Sequence, residues 1–163
     1  MQAANRFLKE LRGGKVSLGV WQMFPSASTS RTIARIPGVS WVLVDQEHGN
    51  VGDSAMHECI ANIAPYGVSP LVRIPDSERW MIKRALDAGA HGIMIPLLST
   101  VGEVEEVVKQ VCQQAIHQVT SSLNSRHQER EVSEVRSLSM LLIYMTSATI
   151  LIRQTTTLPS SSK

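Results

Sequence analysis

The sequence predicts an α/β fold on a parallel sheet: about four βα units followed by an irregular C-terminal tail. Two observations carry this. Short runs rich in Val, Ile and Leu begin near residues 17, 41, 69 and 92, and a stretch of helical periodicity follows each one. Strands spaced by a helix's length of chain are joined by right-handed helical crossovers rather than tight turns. The runs are also continuously apolar instead of alternating, the pattern of a parallel sheet covered on both faces.

Ahead of the first unit, residues 2–12 place Ala3, Phe7, Leu8 and Leu11 at helical spacing, and Gly13-Gly14 ends that helix. Residues 16–21 read as the first strand and 28–35 as a helix stopped near Pro37-Gly38. Ser40-Trp41-Val42-Leu43-Val44 is a buried strand ending in Asp45. Residues 54–63 align Ala55, Met56, Cys59, Ile60 and Ile63 on one helical face, and Pro65 breaks the helix. Pro70-Leu71-Val72-Arg73-Ile74 is the third strand. Ser77 is placed to cap a helix over 78–88, with Gly89 in the C′ position. Gly92-Ile93-Met94-Ile95-Pro96 is the fourth strand. Thr100 then caps a helix from 101 to about 114. It turns Val101, Val104, Val107, Val108 and Val111 inward, and its acidic first turn suits the helix dipole.

After about Cys112 the pattern is lost. Residues 113–137 are Gln, Ser, His, Arg and Glu in no clear period, 138–152 are apolar without caps or turn residues, and 154–163 are rich in Thr and Ser. Such composition specifies little structure. The expected division is a folded region over 1–111 and a poorly packed tail over 112–163.

Composition limits the function. A chain of 163 residues has the size of one domain, and 43% hydrophobic with 18% charged residues is globular. The net charge of +2 is made of interspersed signs, so there is no basic stripe and no electrostatic basis for a nucleic-acid partner. Cys59 and Cys112 have no neighbour at CxxC spacing, and two isolated thiols make no disulfide framework, which points to a reducing, cytoplasmic compartment. His57 and Cys59 supply two ligands, short of a zinc site. Residues 1–15 carry no apolar segment with a cleavage site, so no secretory leader is expected. The 138–152 run is interrupted by Ser139, Thr146, Ser147 and Thr149, and it falls short of the ~20 residues of a spanning helix. No membrane partner is expected.

Two closed architectures fit this pattern, a doubly wound sheet and a (β/α)8 barrel, of which four units are half. No Gly-rich GxGxxG follows the first strand, which weakens the dinucleotide-binding version. In both, reactive groups sit on the loops after the C-terminal ends of the strands. Those ends read Trp21-Gln22, Asp45-Gln46-Glu47-His48-Gly49, Arg73 and Pro96. Each residue has a bland explanation: a turn cap, a solvated loop, a surface ion pair. Their convergence on consecutive strand ends favours a site. An imidazole at His48 can move a proton near neutral pH, with Asp45 placed to hold its tautomer. Arg73 offers a planar fork that matches a carboxylate. Glu47 is suited to hydrogen bonding or to the outer shell of a metal.

At these residues the chain resembles the HpcH/HpaI aldolase family. The resemblance rests on Leu18-Gly19-Val20-Trp21, Trp41-Val42-Leu43-Val44-Asp45-Gln46-Glu47-His48-Gly49 and Pro70-Leu71-Val72-Arg73. It continues through Ile82-Lys83-Arg84-Ala85-Leu86-Asp87-Ala88-Gly89-Ala90 and Ile93-Met94-Ile95-Pro96, over roughly residues 5–111. It implies the N-terminal half of a (β/α)8 TIM-type barrel and reversible cleavage of a 2-keto-4-hydroxy acid to pyruvate and an aldehyde. It also implies a homo-oligomer and a divalent metal, Mg²⁺ or Mn²⁺, that polarises the keto oxygen. Carried across, His48 matches the acid/base histidine and Asp45 its orienting partner. Arg73 matches the residue at the pyruvate carboxylate, Trp21 a pocket wall, and Glu47 an acid in the metal's water shell.

The family's metal ligands are a Glu in a V-Q-I-E pattern and an Asp near a G-P-A-D-L-like stretch. Neither pattern occurs, and the P-P-x-G-x-R-G segment is absent. No metal ligand is therefore assigned. The chain is expected to be an aldolase-family lyase that is inactive or impaired. The alternative is a non-catalytic βα-repeat fragment that binds a small carboxylate or a partner subunit. A citrate-lyase-like enzyme acting on a CoA thioester would share the barrel, but the D-x-E-H loop favours the pyruvate aldolases. Residues 150–162 can be back-translated so that another frame reads P-D-T-A-N-D-N-L-T-I-V-I-Q, which resembles the family's stretch before the missing Glu. A shift of reading frame near residue 112 is the expected cause. Sequencing the genomic DNA across codons 105–163 tests this, and two alternative frames without family sequence would refute it.

Overall fold

The computed structural model describes residues 5–122, 141–146 and 149–154, with side chains as far as residue 114. Readings that fall on residues 1–4, 123–140, 147–148 and 155–163 lie outside the described residues. The elements in chain order are α1 (Arg6–Arg12), β1 (Leu18–Gln22), α2 (Ala27–Ala34), β2 (Val39–Asp45), α3 (Asp53–Ile63) and a 3-10 turn (Ala64–Tyr66). They continue with β3 (Ser69–Arg73), α4 (Arg79–Asp87), β4 (Gly92–Ile95), α5 (Val101–Ser122), β5 (Leu141–Thr146) and β6 (Thr149–Gln154).

The strands form one sheet in sequential order, parallel from β1 to β5, with β6 antiparallel at the far edge. A doubly wound sheet reverses direction at a switch point; this order has no reversal, which is the winding of a barrel. The two faces follow from the strand period of two. Val42, Val44, Val72, Ile93 and Ile95 pack with Met56, Cys59 and Ile60 of α3, Ile82, Ala85 and Leu86 of α4, and Val104, Val107 and Val111 of α5. The opposite face carries Trp41, Leu43, Leu71 and Met94, which pack with Phe7 and Leu11 of α1.

Local chemistry sets the helix ends. Asn5 Oδ1 accepts the Leu8 N–H at 3.0 Å and Ser26 Oγ accepts that of Thr29 at 3.2 Å. Thr100 and Glu103 form a capping box: Glu103 N–H donates to Thr100 Oγ1 at 3.2 Å and Thr100 N–H to Glu103 Oε2 at 2.9 Å. Gly89, at φ +97°, follows the end of α4.

Four expectations are corrected. Ser77 does not cap α4. The cap position is Glu78 with no side-chain bond, and Ser77 N–H instead donates to Asp76 Oδ1 at 2.6 Å. The helix beginning at Val101 runs to Ser122 instead of about 114, because nothing in the 113–122 stretch is a Gly or Pro that would stop it. Val101 is exposed, since it stands at the first helical position, ahead of the face that Val104, Val107 and Val111 bury. The tail is not irregular throughout: Leu141–Thr146 pairs with β4 and Thr149–Gln154 returns beside it. A short apolar run bounded by polar chain has the length of a buried strand, and its period alone does not say so.

Helix α1 closes the end of the sheet where the strands begin. Asn5 Nδ2 donates to His91 O at 2.9 Å, Phe7 N–H to Ser69 Oγ at 3.1 Å, and the Phe7 ring lies 5.5 Å from that of Trp41. The Trp41 ring in turn covers Gly19, where an added Cβ would fall 1.9 Å from a ring carbon. Overpacking of this kind is destabilising. Gly19→Ala is therefore expected to lower unfolding stability by about 1–3 kcal/mol in urea titrations. Adding Trp41→Leu to it should recover part of that loss, and a single variant as stable as the parent would contradict the account.

Candidate active site

The site stands on the opposite rim, where β1, β2 and β3 end. Asp45 is the last residue of β2 and Arg73 the last of β3, and the register sets them directly across from each other. Alternation along each strand turns both to the face that carries Leu43 and Leu71. Asp45 is 0% exposed and Arg73 7%. Two such charges are tolerable only as a well-bonded pair. Arg73 Nε donates to Asp45 Oδ1 at 2.9 Å and Nη2 donates to Oδ2. This is the bidentate geometry for which a guanidinium is shaped.

Asp45 also builds the loop after it. Its Oδ1 accepts the backbone N–H groups of Glu47 at 3.0 Å and His48 at 3.1 Å. Burial pushes its carboxyl pKa up, but the bonds from Arg73 and from these two N–H groups outweigh burial and hold it below the ordinary range. Gln46 N–H extends the β2–β3 ladder by donating to Arg73 O at 2.9 Å. Glu47 Oε2 lies 3.1 Å from Arg73 Nη1, near enough for charge pairing but not aligned for a hydrogen bond, so it is buried without a donor. The Arg73 guanidinium stacks 4.5 Å above the Trp21 ring, within reach of a cation–π attraction.

All five residues marked from the sequence thus share one rim, with one difference of role. Asp45 does not face the His48 imidazole, because its oxygens are taken by Arg73 and by loop N–H groups. The side chain near His48 is that of Glu47, with Nε2 to Oε1 at 3.9 Å, and the imidazole is 63% exposed. Asp45 positions the loop that carries the histidine, not the ring itself.

The HpcH/HpaI aldolase/citrate lyase family model matches residues 20–150. The chain belongs to that family. A hydroxypyruvate/pyruvate aldolase of Sagittula stellata is 36% identical over 107 residues, covering 66% of this chain and 42% of its own. A 2-keto-3-deoxy-L-rhamnonate aldolase of Escherichia coli O17:K52:H18 is 32% identical over 104 residues, covering 64% and 39%. The crystal structure of an HpcH/HpaI aldolase/citrate lyase family protein from Burkholderia cenocepacia J2315 superposes with a TM-score of 0.60 at 32% identity, over 65% of this chain and 42% of that one. The chain spans about two fifths of the length of these relatives.

Several residues of this family member escaped the sequence reading. Gln46 Nε2 reaches Asp53 Oδ1 at 3.3 Å, and Arg84 pairs with the other oxygen of Asp53, so the loop is tied to α3 and α4. Gly49 has no room for a side chain, since a Cβ would lie 2.3 Å from the Asp45 carbonyl oxygen. A Gly beside charged residues was a visible signal of close backbone approach.

Removing one partner of a buried pair leaves a charge unmatched, so Asp45→Ala is expected to cost about 3–5 kcal/mol. Asp45 has a lowered folded pKa, so its contribution is complete above the ordinary carboxylate range and is lost as pH falls through that range toward the folded value. Urea midpoints measured from neutral pH into acid should therefore fall less steeply in Asp45→Asn than in the parent. Parallel curves would remove this residue from the acid sensitivity.

Proposed function

We propose that this chain carries the proton-moving and carboxylate-binding part of a pyruvate-type aldolase site, with a small 2-keto acid as ligand. The single observation behind this is the rim cluster in which Arg73, fixed by Asp45 and stacked on Trp21, lies beside the loop bearing His48. The two hydrogen bonds to Asp45 use two of the five guanidinium N–H groups, and Nη1 also lies 3.1 Å from Glu47 Oε2 in charge pairing. The groups outside these contacts suit an incoming carboxylate or a developing enolate oxygen. His48, on the same loop and open to solvent, is suited to take a proton from the carbon next to the keto group and to return it. Trp21 supplies an apolar wall. The names of the relatives, aldolases of hydroxypyruvate/pyruvate and of a 2-keto-3-deoxy acid, support the substrate class.

The described residues do not by themselves fit the Mg²⁺ or Mn²⁺ expected from the resemblance. Both Asp45 oxygens are engaged, and no three His, Cys, Asp or Glu side chains gather among the described residues. Glu47 Oε2, buried without a donor, suits hydrogen bonding to a water. On this reading, the described residues supply the proton-moving and carboxylate-binding groups and not the metal's ligands. That keeps a second reading in view, a non-catalytic fragment that binds a small carboxylate. No helix among the described residues is long and apolar enough to cross a membrane.

Pyruvate titrated into the folded chain should bind and should exchange its methyl protons with D₂O. His48→Ala should slow the exchange by about 10²-fold or more while binding persists. Arg73→Lys, which keeps the charge and loses the fork, should weaken binding about tenfold. Binding without His48-dependent exchange would favour the second reading, and absence of binding would rule out both.

A further inference from the structure

Gln22 is the last residue of β1, next to Trp21, and it is only 1% exposed. An amide buried this deeply costs free energy unless each of its polar atoms finds a partner. Here each does. Nε2 donates to Phe24 O at 2.9 Å and to Ser26 O at 3.1 Å, with Cys59 Sγ at 3.2 Å. Oε1 accepts the Ser30 hydroxyl at 2.9 Å. One side chain therefore binds the β1–α2 loop at two carbonyls and joins it to both α2 and α3.

The loop held this way is the seat of the next one. Asn50 N–H donates to Met23 O at 3.2 Å. A Cβ on Gly49 would lie 2.9 Å from Met23 O and 3.0 Å from Met23 Cα, so the two loops meet backbone to backbone. Met23 lies between Gln22 and Phe24, whose carbonyl is one of the bonded pair. Asn50 and Gly49 directly follow His48. The 45–50 loop is thus anchored at its start by Asp45 and at its end by a carbonyl whose place depends on Gln22.

We propose that Gln22 is a positioning residue: by fixing the β1–α2 loop from beneath the sheet, it sets the Met23 carbonyl on which the His48 loop is seated. Its functional consequence rests on His48 being the proton-moving group, whereas its geometric content does not.

Gln22→Met keeps the length and volume and removes every hydrogen bond. In the full chain, amide hydrogen exchange should quicken about tenfold or more at Ser26 and Asn50, while Val42, Leu43 and Val44 keep their rates. The same variant should slow His48-dependent exchange of pyruvate protons with little change in pyruvate affinity, a split that a general loss of stability would not give. Ser30→Ala, which deletes the bond to Oε1 together with the hydroxyl's bond to Ser26 O at 3.1 Å, should reproduce the amide pattern more weakly, at Asn50 as well as at Ser26; it carries the test if the Met variant does not fold. Unchanged exchange at Asn50, or equal quickening across β2, would overturn the proposal. If the parent chain binds no pyruvate, the functional reading fails while the amide pattern still decides the role of Gln22.

Discussion

The ion pair of Asp45 and Arg73 is the constraint on which the rim depends. Each charge is nearly excluded from water, so neither strand end is stable there without the other. The pair forms because the β2–β3 register places the two last residues opposite one another on one face. A slip of one residue in that register would put the two side chains on opposite faces of the sheet. The same carboxylate then turns the chain, collecting two backbone N–H groups from the loop it begins. Register, charge pairing and loop shape are thus one arrangement, and the placement of His48 follows from it.

The two ends of the sheet divide the work. At the beginning of the strands, α1 packs Phe7 and Leu8 into the core and satisfies Ser69 and His91 with Asn5, while Trp41 fills the space that Gly19 leaves. These contacts are apolar or neutral, and they bear on stability. At the strand ends the contacts are charged and directional. Bond-rich carboxylates and an exposed imidazole are what chemistry requires and what a core avoids. That division is the one expected of βα-repeat enzymes.

Much of this was legible in the sequence, for reasons that can be named. The first four strands lie within about two residues of their expected bounds because each apolar run is closed by Gly, Pro or a charge. Asp45, Glu47, His48, Arg73 and Trp21 share one rim, as their places at and after consecutive strand ends led one to expect. What escaped was tertiary. The partner of Asp45 was misassigned to His48, three residues away, since the register that brings Arg73 across lies in no local pattern. Gln22 reads as an ordinary polar residue after a strand. Its burial depends on Ser30 and Cys59, eight and 37 residues further on. The β5 and β6 strands escaped because the long polar stretch before them breaks the helix–strand rhythm used to find the others.

The members of the rim cluster differ in how completely they are bonded, and that order gives the site its direction. Asp45 is the most heavily bonded: Oδ1 accepts from Arg73 Nε and from two loop N–H groups, and Oδ2 accepts from Arg73 Nη2. Arg73 has its edge toward Asp45 filled, its Nη1 paired in charge with Glu47 and its plane on Trp21. Glu47 Oε2 is buried beside Arg73 Nη1 at 3.1 Å, paired in charge without a hydrogen bond. His48 stands outermost, in solvent. Side-chain exposure thus increases from Asp45 through Arg73 and Glu47 to His48. Asp45 sits innermost, and its removal would disturb Arg73 and the loop that carries Glu47 and His48 together.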